Sequence, residues 1–188
     1  MWQDTASALI KKFEGLSLKP YKCPAGYNTI GYGHVIKPHE ESLLSQGIVE
    51  SAAEIILRGD MNLANQALNR LVSVGLNDHQ RAALVSFVFN VGAGAFQAST
   101  LRQKLNRSEY ACAAEQFLRW VHGGGRQLPG LVRRRHAERE LFLREYKTAI
   151  PAQANSNHSQ SSFWQKIKLV YSKSWRWWQH FRKLGKRP

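Results

Sequence analysis

Three residues near the N-terminus have the types and the spacing needed to split a glycosidic bond. Glu14 is followed nine residues later by Cys23 and six residues after that by Thr29, in a Gly/Tyr-rich stretch that ends at His34. Hydrolysis of such a bond needs an acid for the leaving oxygen and a base or nucleophile on the opposite face of the sugar. Taken alone, each residue is more often an ordinary surface acid, loop thiol or strand residue. The joint spacing therefore carries the prediction.

The surrounding residues predict the elements that hold these three groups. Asp4 is a candidate N-cap for a short helix that ends near Gly15. In residues 21–35, turn residues separate β-favouring ones, which predicts a small hairpin or meander. The acid would then lie at a helix end, and the thiol and hydroxyl on the β-structure that follows.

The chain beyond this point is predicted to be helical to about residue 146. Residues 51–54 form a capping-box pattern before a helix that runs to about Val72. Asn77 is predicted to cap a core helix, because the helix is apolar nearly all round. Other predicted helix starts are Ser99 or Thr100, Ser108 and Leu131. The predicted fold class is α+β and mostly helical, with a small β-containing N-terminal lobe and a helical C-terminal lobe.

Composition and charge limit the classes of partner. The 188 residues carry a formal net charge of +14, and 43% of them are hydrophobic, which is enough for a folded core. Residues 163–188 contain eight Lys/Arg and no acid, so the rest of the chain, with 19 basic and 13 acidic residues, carries +6. Such a charge predicts polyanionic partners: wall polymers, anionic lipid or lipopolysaccharide, or nucleic acid.

The chain divides into a folded domain and a C-terminal appendage. We predict a domain at residues 1–150, a small, polar linker at 151–162 and an amphipathic helix at 163–188. Two cysteines 89 positions apart form neither a disulfide framework nor a metal-ligand pattern, so we expect free thiols and no metal or cofactor. The sequence shows no signal peptide and no run of 18 apolar residues, which predicts a protein made soluble in the cytoplasm.

The C-terminal segment combines aromatic residues on one helical face with cations mainly on the other. This pattern is typical of a helix that lies in a membrane interface, whereas spanning would bury eight cations in hydrocarbon. Docking on its own domain is a second possibility, and nucleic-acid binding is the least favoured. The candidate membrane-binding residues are Phe163, Trp164, Ile167, Lys168, Tyr171, Lys173, Trp175, Arg176, Trp178 and Phe181.

At its first three candidate residues the chain resembles the phage-type lysozymes, glycoside hydrolase family 24. That family's pattern is Glu, eight residues, Asp, five residues, Thr, and this chain departs from it only in having Cys23 where Asp is usual. The resemblance covers roughly residues 5–146 and keeps the family's order. It continues through residues 87–96 (FVFNVGAGAF), 99–106 (STLRQKLN), 113–120 (AAEQFLRW) and 128–142 (LPGLVRRRHAERELF).

The resemblance implies a two-lobed lysozyme fold over residues 1–150 and hydrolysis of the β-1,4 bond between N-acetylmuramic acid and N-acetylglucosamine. Glu14 would protonate the leaving oxygen, and Thr29 would help to place the attacking water or the sugar. The family positions that line the cleft and contact substrate match Phe89, Asn90 and Thr100.

The resemblance also implies two structural pairs. One of Arg133, Arg134 and Arg135 would hold Glu14, although the last helix alternates Arg and Glu on what we expect to be its outer face. His34 and Asp60 would form a contact within the lobes.

Cys23 leaves the chemistry open. A thiol has an unperturbed pKa of about 8.5, so it needs nearby positive charge to act at neutral pH, and Lys19 and Lys22 are close in sequence. A thiolate nucleophile would retain the anomeric configuration, whereas water activation, which we favour, would invert it. Cys112 lies in an apolar segment and is expected in the core.

These observations favour a monomeric bacteriophage endolysin with antimicrobial potential, made in the host cytoplasm. It would reach peptidoglycan in the periplasm after the membrane opens, and its tail would permeabilise the anionic outer membrane of a Gram-negative cell. One alternative is a membrane-disrupting antimicrobial protein with an inactive lysozyme domain. Another is a lytic transglycosylase, which uses a single acid.

Overall fold

The computed structural model describes residues 1–23 and 26–144 of the chain. The linker and tail helix predicted for residues 151–188 lie outside the described residues. Within the described ranges there are eight α-helices: α1 (Trp2–Glu14), α2 (Glu41–Leu44), α3 (Glu50–Leu71), α4 (Asp78–Val91), α5 (Ala93–Ala98), α6 (Thr100–Asn106), α7 (Tyr110–Gln116) and α8 (Pro129–Phe142). The strands are β1 (Ser17–Lys22), β2 (Asn28–Gly31), β3 (His34–Val35), β4 (His122–Gly123) and β5 (Arg126–Gln127), and Phe117–Arg119 form a 3-10 turn. The fold is therefore α+β and mostly helical, as predicted.

The predicted β-meander is confirmed. Strands β1, β2 and β3 form an antiparallel sheet in that order. Tyr21 lies opposite Thr29, and Thr29 lies opposite Val35. The sheet begins at Ser17, four residues before the predicted start, and the pairing is irregular between Ser17 and Tyr21.

Two predicted helix starts are wrong by a few residues. Helix α1 already begins at Trp2, so Asp4 lies in its first turn. A negative side chain there is stabilised by the positive end of the helix dipole. Helix α3 begins at Glu50 after extended Val49 and has no side-chain cap. Because the chain is helical throughout residues 51–54, the predicted capping box does not form there.

The helix predicted to start at Ser108 begins two residues later than expected. Ser108 has a φ of 59°, a left-handed conformation that precedes the helix rather than capping it, and α7 begins at Tyr110. Cys112 in α7 is half-buried rather than fully inside the core. The hairpin β4–β5, which follows Trp120, was not predicted from the sequence.

Helix α4 is the centre of the core, as its apolar sequence predicts. Asn77 accepts a hydrogen bond from the Gln80 amide at 2.8 Å, and the Gln80 side chain accepts from the Asn77 amide at 3.1 Å, which completes a capping box. The helix packs against α1, α3 and α8. Phe87 is fully buried and makes edge contacts with Phe96 and Phe117.

Helix α3 contacts both the sheet, through β2 and β3, and the helical part of the fold, through α1 and α4. At 22 residues it is about 33 Å long, enough to connect two lobes. Two of its apolar residues, Ile55 and Leu63, are 72% and 57% exposed, contrary to the simple helical pattern. The buried face consists instead of Ala53, Leu57, Met61, Ala64, Ala67 and Leu68.

Helix α8 differs from its prediction in burial. It begins at Pro129, two residues earlier than expected, where proline is well tolerated. The expectation that its Arg and Glu residues face solvent is wrong for Arg134, Arg135 and Glu138, which are at most 3% exposed, whereas Arg133 and Glu140 are exposed. None of the helices within residues 1–23 and 26–144 has the length and apolar character needed to cross a bilayer.

Candidate active site

Glu14 is the last residue of α1. Gly15 ends the helix with a φ of 73° and donates from its amide to the Lys11 carbonyl. The Glu14 side chain is 21% exposed, so it is partly shielded but still open to a ligand. Arg134 Nη1 donates to Glu14 Oε1, which decides among the three candidate arginines in favour of Arg134.

The guanidinium of Arg134 is held from three sides. Its Nε donates to Glu138 Oε1 at 3.1 Å, and its Nη2 donates to the Ser86 carbonyl at 3.2 Å. Its third side faces Glu14, and the ring of Phe13 lies 5.9 Å away. Because every edge of this planar group is engaged, Arg134 presents Nη1 to Glu14 in one orientation. Glu138 was missed by sequence reasoning, although its spacing of four from Arg134 on a helix signals such a pair.

Gly33 brings the β-sheet up to the carboxyl of Glu14. A β-carbon built on Gly33 would lie 3.5 Å from Glu14 Oε2 and 3.9 Å from its Cδ. Gly33 also has a φ of 88°, which glycine adopts without strain. The two carboxyl oxygens of Glu14 therefore have different surroundings: Oε1 faces Arg134, and Oε2 faces the backbone of Gly33.

Cys23 and Thr29 are tied to the same backbone carbonyl. The Tyr27 carbonyl accepts from the Cys23 amide at 2.9 Å and from the Thr29 hydroxyl at 3.1 Å. The Gly26 amide donates to the Cys23 carbonyl at 2.8 Å. Cys23 is half-buried, and Thr29 is 2% exposed. Since the hydroxyl hydrogen of Thr29 is used within its own lobe, its oxygen is left to act as an acceptor.

The three predicted substrate contacts have different surroundings. Asn90 is exposed, and its Oδ1 accepts from Arg135 Nη2 at 2.7 Å. Phe89 is half-buried, and Thr100 is exposed on the first turn of α6, behind the cap formed by Ser99. Of these three residues, Asn90 is connected to Glu14, because its partner Arg135 contacts Glu138, and Glu138 and Glu14 both contact Arg134.

The predicted pair between His34 and Asp60 is confirmed, with Nδ1 and Oδ2 2.8 Å apart. His34 Nε2 also lies 3.1 Å from Glu40 Oε2, a partner that the sequence did not indicate. The hydrogen bond to Asp60 is the main reason that the pKa of His34 is raised, and the bond to Glu40 adds to it against the opposing effect of burial. The Asp60 contact joins β3 to α3, and the Glu40 contact joins β3 to the residue before α2.

A second ion pair joins α1 to α3. Lys11 Nζ donates to Glu54 Oε1, which also accepts from the Tyr32 hydroxyl at 3.3 Å. Lys11 lies 5.3 Å from the centre of the Tyr32 ring. This contact fixes α1 beside the loop that carries Gly33.

Over residues 1–23 and 26–144 no group of three His, Cys, Asp or Glu side chains is arranged to hold a metal ion.

Comparisons with known proteins show which family this chain resembles. The sequence profile of the phage lysozyme family matches residues 11–138. The endolysin of Acyrthosiphon pisum secondary endosymbiont phage 1 is 43% identical over 138 residues, which cover 71% of this chain and 92% of that protein. The endolysin of Bacillus phage B103 is 44% identical over 140 residues, or 72% of this chain, and the match spans about half (51%) of its length.

A solved structure supports the same assignment. A crystal structure of a mutant P22 lysozyme superimposes with a TM-score of 0.65 at 36% identity, over 74% of this chain and 95% of that one. The profile match covers more than half of the chain and includes Glu14, Cys23, Thr29 and Arg134. The chain therefore belongs to the phage lysozyme family, and it is a lysozyme-type hydrolase, a muramidase.

Proposed function

We propose that this protein is an endolysin that cleaves the β-1,4 bond between N-acetylmuramic acid and N-acetylglucosamine in peptidoglycan, with Glu14 as the general acid. The observation that carries the proposal is the asymmetric setting of the Glu14 carboxyl. Oε1 accepts from Arg134, so the proton to be donated resides on Oε2, which lies on the side of Gly33. Protonation of the leaving oxygen from a fixed carboxyl is the step that such hydrolysis needs first.

In this proposal Cys23 and Thr29 act from the sheet. The Cys23 amide and the Thr29 hydroxyl both donate to the Tyr27 carbonyl, which keeps these two residues close together on the sheet. The Cys23 thiolate takes a proton from water as that water attacks the anomeric carbon, and the Thr29 oxygen accepts a hydrogen bond from the water or the sugar. Attack by water inverts the anomeric configuration; a thiolate that attacked directly would retain it.

The setting of this activity is host lysis. The named relatives are phage endolysins, which supports synthesis in the host cytoplasm and action on the periplasmic wall after the membrane opens. The eight cations and four tryptophans of residues 163–188 support engagement of an anionic outer membrane or lipopolysaccharide. Residues 151–162 act as the tether in this arrangement.

Mass spectrometry of digested peptidoglycan tests the proposed reaction. A hydrolase leaves muramic acid reducing ends, a lytic transglycosylase leaves anhydro ends, and a domain that acts only on membranes leaves the glycan uncut. We expect reducing ends. Anhydro ends or intact glycan strands would refute the proposal. Proton NMR of the first product formed shows whether the configuration at the anomeric carbon is inverted or retained, and so which role Cys23 plays.

A further inference from the structure

Four charged side chains form a connected row that begins at Glu14 and runs into the core. Arg134 contacts both Glu14 and Glu138, and Arg135 lies beside Glu138. The side chains of Arg134, Arg135 and Glu138 are 3%, 0% and 0% exposed. Two guanidiniums and one other carboxylate therefore lie in a row beside the proposed general acid, in surroundings that water screens poorly.

Glu138 is the central group of this row. Its Oε1 accepts from the Ser86 hydroxyl at 2.7 Å and from Arg134 Nε at 3.1 Å. Its Oε2 lies 3.2 Å from Arg135 Nη1. Burial raises the pKa of Glu138, while the two guanidiniums and the Ser86 hydroxyl oppose that rise. An ion contact on each side of the carboxylate is the arrangement in which a buried charge persists.

Arg135 balances the far end of the row. It stacks 4.8 Å above the ring of Phe87 and donates to Asn90 at 2.7 Å. Burial lowers the pKa of Arg135 to about 10, so it is still charged at neutral pH. The charge of Arg135 is offset mainly by Glu138, and that of Arg134 is shared between Glu138 and Glu14.

We infer that Glu138 is a positioning residue, which holds Arg134 against Glu14 and, by its negative charge, sets the pH range in which Glu14 can donate a proton. This inference rests on the proposed role of Glu14. Without the charge of Glu138, Glu14 would be the one negative group of the row, balanced against Arg134, which contacts it, and Arg135, which lies farther along the row. The two guanidiniums would hold its carboxyl ionised, and so unable to donate, down to a lower pH.

Neighbouring elements add no further charged group to this row through the hydrogen bonds and ion pairs described for residues 1–23 and 26–144. Helix α1 contributes Glu14, and α4 contributes the neutral groups Ser86 and Asn90. Glu115 of α7 is bound to Arg139 on the more exposed side of α8, away from the row. The balance at Glu14 is therefore set by Arg134, Arg135 and Glu138.

The pH dependence of kcat tests the inference. Glu138→Gln keeps a carbonyl oxygen for Ser86 and Arg134 but removes the charge. We expect the alkaline limb of the kcat profile to move to lower pH by roughly one unit, so that activity above the limb falls about tenfold. Glu138→Gln combined with Arg135→Gln restores the balance and should return the limb to its wild-type position. Glu140→Gln is the matched control, because Glu140 is exposed on the same helix and its loss should leave the limb in place.

A purely structural role for Glu138 predicts a different result. Glu138→Gln would then lower kcat by the same factor at every pH with the limb unmoved, and this outcome overturns the inference. If Glu138→Gln does not fold, Ser86→Ala serves as the test, because it removes one hydrogen-bond donor to the Glu138 carboxylate. The alkaline limb should then move in the same direction by a smaller amount. An unmoved limb again overturns the inference. Glu14→Gln separates the two proposals. Full activity of Glu14→Gln refutes the proposed function itself. If Glu14→Gln is inactive but the alkaline limb of Glu138→Gln is unmoved, only this inference is refuted.

Discussion

Replacing Gly33 by alanine tests whether the space beside Glu14 Oε2 is where the glycosidic oxygen binds. Gly33 has a φ of 88°, and a β-carbon there would lie 3.5 Å from Oε2. That distance is an ordinary van der Waals contact, so the methyl group fits the free enzyme. The leaving oxygen, however, must come within about 2.6–3.2 Å of the same carboxyl, and the methyl group competes for that space.

The expected losses of stability and of activity differ in size. A side chain in the left-handed conformation costs roughly 1–2 kcal/mol, or about 2–8 °C in Tm for a domain of this length. Displacement of a reacting group by about 1 Å costs up to roughly 100-fold in rate, so we expect kcat to fall by at least about tenfold. Gly125→Ala is the matched control, because Gly125 has a φ of 77° in the β4–β5 hairpin and open space around its β-carbon.

Thermal unfolding and the release of reducing ends from purified peptidoglycan measure the two effects separately. Both alanine variants should lose similar stability, and only Gly33→Ala should lose activity beyond its folded fraction. If Gly33→Ala unfolds like the control yet cleaves peptidoglycan at the wild-type rate, the leaving oxygen does not approach Glu14 from the side of Gly33. The assignment of the donated proton to Oε2 would then be wrong.

Three further predictions concern other parts of the chain. Cys23→Asp should keep substantial activity and Cys23→Ser should lose most of it, as measured by kcat on purified walls; equal activities would exclude Cys23 as the base. The pKa of His34 is raised, chiefly by its hydrogen bond to Asp60, so its protonated form stabilises the fold. That contribution is complete below the unfolded pKa of about 6.5 and is lost as pH rises through the higher folded value, so urea unfolding should show a loss of stability with rising pH that His34→Gln reduces. A slope that is identical in the two proteins would contradict this. Removal of residues 163–188 should leave wall cleavage intact but abolish killing of intact Gram-negative cells, and undiminished killing would refute the membrane role of the tail.

The sequence predicted best those features that depend on local chemistry. The cap at Asn77, the helix start at Ser99 or Thr100, the helix end at Gly15 and the small antiparallel sheet that follows are all present. These signals are local because a capping side chain or a glycine acts within a few residues of its own position. The capping box at residues 51–54 failed because the helix already begins at Glu50 and the Glu54 carboxylate accepts from Lys11 and Tyr32 instead.

Burial on α8 could not be predicted from the sequence. Three neighbouring arginines on a polar helix suggest a solvated face, and only the tertiary partners show that Arg134 and Arg135 are buried. Those partners come from distant segments: Glu14 lies 120 residues before Arg134. The role of Glu138 was hidden for the same reason, because an acid among arginines on a helix indicates a surface ion pair as readily as a buried one.

The most direct test of the central claim is the release of reducing ends from purified peptidoglycan by Glu14→Gln, with Glu140→Gln as the matched control. Both changes replace a glutamate by its amide, but Glu14 is held by Arg134 while Glu140 is exposed on α8. With Glu14 as the general acid, Glu14→Gln should lose at least about 100-fold in kcat, and Glu140→Gln should remain within about twofold of the wild type. Wild-type cleavage by folded Glu14→Gln would contradict the account.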